Sequence, residues 1–244
     1  MDAFVDLHIH TGLSPCGDND MTPNNIVNMA VIKGLDAIAI TDHNSCGNAA
    51  SCMEVGKKNG LLVIPGMELQ TREDIHVICL FPFLENALAF QEEIYSSLPD
   101  IKNRSDIFGE QILYDSEDNI IGYHQELLLN SSSISYDDAY KVVNELGGVF
   151  IPAHVDRSSY SVISSLGFLP EYLPIRTVEY SSWDATLKLI EQGLIKKDYQ
   201  YIHSSDAHYL WDILEKTTSI HCDDLSSLSI VNSLKQPKYF NNVN

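Results

Sequence analysis

Short, uninterrupted apolar runs recurring between helix-patterned stretches constrain this chain more than any other feature. Asp36-Ala-Ile-Ala-Ile-Thr41, Leu61 to Pro65, Ile75 to Phe81 and Val149 to Ala153 are too short for helices and show no polar alternation. Strands of that kind are buried on both faces, as in a parallel sheet covered by helices. Phe4 to Ile9, Thr177 to Tyr180 and Tyr201 to Ser204 continue the series. Helices are expected from Pro23 to Lys33, Ala49 to Asn59, Leu84 to Ser97, Tyr136 to Leu146, Asp184 to Gln192 and Ser226 to Leu234. The first has Thr22 as N-cap, Pro23 at its first position and Gly34 just beyond its end. The alternation predicts an α/β fold, either barrel or doubly wound. No Gly-x-Gly-x-x-Gly follows the first strand, which disfavours a dinucleotide-binding sheet.

At 244 residues an α/β barrel is commonly one domain, and a single domain over 1–244 is the expectation. The stretch 99–135 breaks the rhythm. Within it, Gln111 to Gly122 reads as two short strands around the turn Ser116-Glu-Asp-Asn119, so 99–135 is a hairpin-containing insertion. Two roles suit it equally: a lid over a site, or a solvated surface excursion.

Charge limits the partners. Fifteen Lys and Arg against 34 Asp and Glu give a net charge of −19. Such a surface repels long duplex nucleic acid and anionic membranes. A small anionic substrate remains compatible if bound cations receive it. No apolar run approaches the ~20 residues of a membrane span, and the first residues carry Asp2 and Asp6 where a signal peptide would be basic. Five widely spaced cysteines without a Cys-x-x-Cys pair fit a reduced, cytoplasmic protein.

The histidines are not evenly spread. His8 and His10 close the first strand two residues apart, so both imidazoles can reach one ion. Asp206 and His208 repeat that spacing after the last apolar strand. His43 follows the second strand and Glu68 the third. His76 starts the next, and His154 directly follows Val149 to Ala153. Most of these positions are the C-terminal ends of strands, where parallel α/β folds assemble their active sites. Any one of these histidines could be a packed core residue, but their shared placement points to a metal centre.

Asp6-Leu-His-Ile-His-Thr11, the loop Ser14 to Pro23, and Ile40-Thr-Asp-His43 resemble the opening motifs of the polymerase and histidinol phosphatase (PHP) family. Pro65-Gly-Met-Glu68, Ile75-His-Val77, Ala153-His-Val155 and Ser204-Ser-Asp-Ala-His208 follow in the same order. The resemblance runs from residue 2 to 209 and implies a distorted (β/α)7 barrel with a three-metal phosphoesterase centre. It implies a first ion on His8, His10, Glu68 and Asp206. Glu68 would bridge to a second ion, also held by His76 and His154. Asp18, His43 and His208 would hold the third, with Asp20 as the alternative to Asp18, because the loop reads Ser14-Pro-Cys-Gly-Asp-Asn-Asp20 where many relatives have Ser-Asp-Gly. Cys16 stands in that loop as a soft outsider among hard oxygen donors.

Such a centre clamps the phosphate oxygens and activates water as hydroxide for in-line attack. Mixed imidazole and carboxylate ligands suit Mn, Fe or Zn. Arg157 resembles the arginine of an Ala-His-Pro-x-Arg stretch in some relatives, with Val155 in place of Pro, and is the candidate phosphate contact. Asp42 and Asp6 are candidates for orienting an imidazole or moving a proton. The expected activity is hydrolysis of a small phosphorylated metabolite, nucleotide or short oligonucleotide. The alternatives are a metal-dependent C–N hydrolase of amidohydrolase-like type and a non-catalytic, metal-stabilised regulatory module.

Overall fold

The computed structural model describes residues 1–237; the end of the expected single domain, 238–244, lies outside the described residues. In chain order, β1 (Asp2–Ile9) leads to α1 (Pro23–Ile32), β2 (Ala37–Ile40), α2 (Ala49–Asn59), β3 (Leu62–Gln70), β4 (His76–Leu80) and α3 (Leu84–Ser97). The insertion contributes α4 (Ser105–Phe108), β5 (Ile112–Tyr114) and β6 (Ile120–Tyr123). Then come α5 (Tyr136–Glu145), β7 (Val149–Pro152), α6 (Val162–Leu166), β8 (Thr177–Tyr180), α7 (Trp183–Glu191), β9 (Gln200–His203), β10 (Ser219–His221) and α8 (Ser227–Lys235).

Seven strands curl into a distorted barrel. β1, β2, β3, β4 and β7 are neighbours in one sheet, with β10 added outside β1. β8 and β9 form a separate parallel pair. Two seams complete the ring. The Val155 amide donates to the Glu179 carbonyl, linking the end of β7 to β8. The isolated parallel bridge between Ile9 and Ala207 links the segment after β9 back to β1.

The sheet is not wholly parallel, contrary to the expectation from the apolar runs. β4 runs antiparallel to both β3 and β7. Only Thr71 to Ile75 separate β3 from β4, too short for the crossover that a parallel pair needs. The reversal has a functional effect. It carries His76, at the start of its strand, to the same barrel end as the C-termini of the parallel strands. Glu68 lies inside β3 rather than after it, because β3 runs on to Gln70 to pair with β4.

Apolar packing holds this frame. α1 and α2 pack on Ile38, Ile40 and Val63, and α8 brings Ile230, Val231 and Leu234 against Ala3, Val5 and Leu7 of β1. The hairpin expected within 99–135 is formed by β5 and β6. It is stapled to the barrel: Asn48 donates to the Ile112 carbonyl and accepts from the Tyr114 amide, and Asn44 donates to the Leu128 and Asn130 carbonyls. No helix among the described residues is long and apolar enough to cross a membrane.

Candidate metal centre

Glu68 is the hub. The isolated bridge between His43 and Glu68 sets it beside the end of β2, and it is 1% exposed. Its Oε1 lies 2.8 Å from His76 Nδ1, 3.3 Å from His8 Nε2 and 3.4 Å from His154 Nε2. Its Oε2 lies 2.8 Å from His43 Nδ1 and 3.4 Å from His10 Nε2. Asp206 Oδ1 stands 3.2 Å from both His8 Nε2 and His10 Nε2. Five imidazoles and two carboxylates therefore converge at one barrel end.

Neighbouring groups decide which nitrogen each ring presents. His8 Nδ1 lies 3.1 Å from both oxygens of Glu179, so that nitrogen carries the proton and Nε2 presents its lone pair. Ser14 donates its hydroxyl proton to Asp42 Oδ1 at 2.7 Å and so accepts from His10 Nδ1 at 2.9 Å. His8 Nε2 and His10 Nε2 then face each other at 3.1 Å, an arrangement that needs a cation or a proton between them. Backbone strain accompanies the site: His154 and Asp206 have φ of 31° and 52°. Residues other than glycine held there cost about 1–3 kcal/mol each and cluster at functional sites.

The donors fit metal ions. Both Glu68 oxygens, His43 Nδ1 and His154 Nδ1 are buried without a hydrogen bond of good geometry. Three groups bring their ligand atoms within 4.8 Å of one another: His8, His10, Glu68 and Asp206; His43, Glu68 and His76; and His10, His43 and His208. Four tetrahedral donors about 2.0–2.1 Å from zinc are about 3.3–3.4 Å apart. The first group's measured separations of 3.1–3.4 Å suit an ion of that size.

Electrostatics agree. Burial pushes the Glu68 carboxyl up, but the charges of His76, His8 and His43 hold it well below the usual carboxylate range. Burial also opposes ionisation of Asp206, yet His8 and His10 hold it far down. Burial lowers His8, but Glu179, Asp206 and Glu68 raise it well above an ordinary imidazole. His10 and His76 go the other way: burial, with the neighbouring histidines, pushes both below an ordinary imidazole.

A family model, the PHP domain, matches residues 6–216. The chain belongs to the PHP domain family. A 100-residue segment is 34% identical to the 5'-3' exoribonuclease Rnm of Salmonella typhimurium, covering 37% of this chain and 33% of Rnm. The matched segments span only a third to a half of the curated relatives. The lesion-specific endonuclease PfuEndoQ of Pyrococcus furiosus superposes with a TM-score of 0.65 at 19% identity, over 96% of this chain and 56% of that one. Endonuclease Q has also been solved with a 27-mer duplex substrate carrying an abasic lesion at its active site. A metal-dependent phosphoesterase of Bifidobacterium adolescentis, so described provisionally, superposes with a TM-score of 0.52 at 17% identity over 94% of both chains. At these identities the solved structures establish the fold.

In this PHP domain the structure brings together eight of the nine residues expected as ligands: His8, His10, His43, Glu68, His76, His154, Asp206 and His208. Asp18 joins none of the three groups. Its Oδ1 accepts from the Asp20 amide at 2.8 Å, and neither Asp18 nor Asp20 points a carboxylate into the groups. Cys16, expected to stand outside, joins none of the three groups, but its thiol feels the charges of His208 and His43. Burial raises that thiol, but the two histidines bring it down to about 6.

Arg157 reaches Asp206 Oδ2 with Nη1 at 2.6 Å and Ser181 Oγ with Nε at 3.0 Å. It borders a 160 Å³ cleft over the ligands, together with Tyr160, whose ring stacks on His76. Asp42 touches no ligand ring; it bonds Thr11 and Ser14 and orients His10 through the latter. Asp6 accepts from the Ser205 and Leu214 amides and so anchors the loop carrying Asp206 and His208.

Glu179 is the residue that sequence reasoning missed. One carboxylate in the short apolar strand Thr177 to Tyr180 carries no spacing signal. A charge in the middle of a buried strand was nonetheless a readable anomaly.

Proposed function

We propose that this PHP domain is a metal-dependent phosphoesterase with a trinuclear centre, acting on a small phosphorylated metabolite, nucleotide or short oligonucleotide. The observation that carries the reading is the convergence of five imidazoles on the two oxygens of Glu68. His8, His10, Glu68 and Asp206 would hold the first ion, and Glu68, His76 and His154 the second. His43 and His208 would belong to the third. Bound divalent ions would supply Lewis-acid polarisation of the phosphate and an activated water nucleophile.

The chain's own groups prepare the site for that chemistry. Glu179 and the Ser14–Asp42 pair fix the rings of His8 and His10, so little reorganisation remains when an ion or phosphate arrives. Arg157 fronts the cleft with guanidinium N–H groups beyond those given to Asp206 and Ser181, and these can meet a phosphoryl oxygen. That cation favours an anionic phosphoester over a neutral amide. The 160 Å³ cleft suits a phosphoryl group. The rest of a nucleotide would lie outside it, near the exposed Tyr160.

With a net charge of −19, long duplexes are disfavoured, in contrast to Endonuclease Q. The test is elemental analysis joined to a panel of phosphate monoesters, diesters, nucleoside bisphosphates and short oligonucleotides, with manganese, iron or zinc added. Bound metal and turnover, both lost in Glu68→Ala, are expected. A fully metal-loaded chain inert towards every ester would overturn the reading.

A further inference from the structure

The segment from His154 to Ser161 is a tight, cross-braced turn. The Arg157 amide donates to the His154 carbonyl at 2.9 Å, and Ser161 Oγ donates to the Arg157 carbonyl at 2.7 Å. The His76 amide donates to the Tyr160 carbonyl at 2.8 Å, which ties the far end of the turn to β4. Ser161 then caps α6. Arg157 and Tyr160 are therefore held on one rigid segment, and both line the cleft over the ligands.

Tyr160 occupies a conformation that bulky residues rarely adopt, with φ of 55°. Strain of that kind clusters at ligand clamps and active sites. Its ring stacks on the His76 ring, with centroids 4.7 Å apart and planes 18° apart. The residue is still 48% exposed. With one face on His76, that exposure belongs to the opposite face and the edges. The 160 Å³ cleft holds a phosphoryl group and little else. Whatever group the phosphate carries must leave past the rim, where this open aromatic face stands three residues from the Arg157 guanidinium.

We propose that Tyr160 is a stacking platform for a nucleobase, so that the phosphoester taken by this site is a nucleoside phosphate with an unpaired base. This rests on the phosphoesterase reading of the cleft. Stacking on an aromatic side chain is tolerant of sequence because every base has a π-face. Residues 157–160 are all exposed, so the platform offers a surface and not an enclosing pocket. It should therefore accept any base. A base stacked within a duplex has no free face to offer, which selects mononucleotides and single-stranded ends.

The probes are the methylenephosphonate analogues of adenosine 5'-phosphate and ribose 5-phosphate, which resist hydrolysis. Their affinities for the manganese-loaded full chain are measured by calorimetry, beside turnover of the two parent esters. The wild type should bind the adenosine analogue about 5–150-fold more tightly than the ribose analogue, the usual worth of one stacked base. Tyr160→Ala should erase that preference while leaving metal content and affinity for the ribose analogue unmoved. Tyr160→Phe should keep the preference, as should Tyr172→Ala, at an exposed tyrosine outside the cleft. Equal affinities in the wild type would overturn the platform. So would a Tyr160→Ala that weakens both analogues alike, which would make Tyr160 a positioning residue for His76. Base-dependent binding with no ester turned over would overturn the hydrolase reading alone. A wild type that binds neither analogue would remove both.

Discussion

His8 Nδ1 lies within 3.1 Å of both oxygens of Glu179, a carboxylate that touches no other ligand ring and itself sits in none of the three donor groups. The contact sets the direction of the His8 lone pair, and Glu179 also accepts from the His154 amide at 3.1 Å. Replacing Glu179 by Gln should weaken the first ion's affinity about 10–100-fold, the usual loss when a partner behind a ligating histidine is removed. Chelator competition measures this. Unchanged affinity would show that Glu179 merely fills the strand.

Ser14 joins Asp42 to His10 and also accepts from the His43 amide. Ser14→Ala leaves the His10 Nδ1–H and the His43 amide without their acceptor and removes one of the two donors to Asp42 Oδ1. The metal-free protein should lose about 1–3 kcal/mol of stability in denaturant titration. Metal binding to the first position should weaken in parallel. A loss of stability with unaltered metal affinity would mean that His10 holds its orientation without Ser14.

Arg157 offers a planar fork at the cleft. Arg157→Gln should leave metal content near that of the wild type. It should weaken competitive inhibition by inorganic phosphate about 10–100-fold, the equivalent of one charge-assisted hydrogen bond. Phosphate inhibition that is unmoved would assign Arg157 to holding Asp206 alone.

Cys16 supplies a pH test. Its thiol lies at about 6, while burial pushes the Cys46 thiol well above the ordinary range. The thiolate is the reactive form, so alkylation of the metal-free protein by iodoacetamide should rise as pH passes upward through about 6 and then level off. An ordinary thiol would turn over near about 8.5. Peptide mapping should find the label on Cys16, the exposed cysteine, and not on buried Cys46, Cys52 or Cys79. A midpoint near the ordinary value would mean that His43 and His208 do not polarise the thiol.

Gly109 adopts φ of +97° against Pro15. Gly109→Ala should therefore loosen the insertion from the Ser14–Pro23 loop. Faster proteolysis within 99–135 and a selective loss of the third ion are the expected outcomes. Retention of all metal together with faster cleavage would separate the insertion from the loop that carries Cys16.

The sequence made the barrel's strands legible because continuous apolar runs have few other uses. α2, α3 and β8 span the residues expected, and the β5–β6 hairpin was announced by its turn. The ligand positions were legible because strand ends are where a barrel gathers side chains. What could not be read was direction. Nothing in Ile75 to Phe81 distinguishes a parallel stave from an antiparallel one; the shortness of the Thr71–Ile75 turn decides it. Asp18 was chosen over Asp20 by counting back from Pro23, but a loop has no period to say which side chain turns inward, and neither carboxylate joins the ligand groups. Glu179 was silent because its role lies in a contact 171 residues away.

The barrel behaves as a split ring. Its two seams are held by very few backbone bonds, Val155 to Glu179 on one side and the His8–Ala207–His10 ladder on the other. The ligands straddle these gaps: Asp206 faces His8 and His10 across one, and His154 stands beside the other. Cations seated at the rim would rivet the staves together. Without them, opening at Val155 and Ala207 should be among the easiest breathing motions of the molecule, so metal supply would govern its lifetime as a folded object as well as its chemistry.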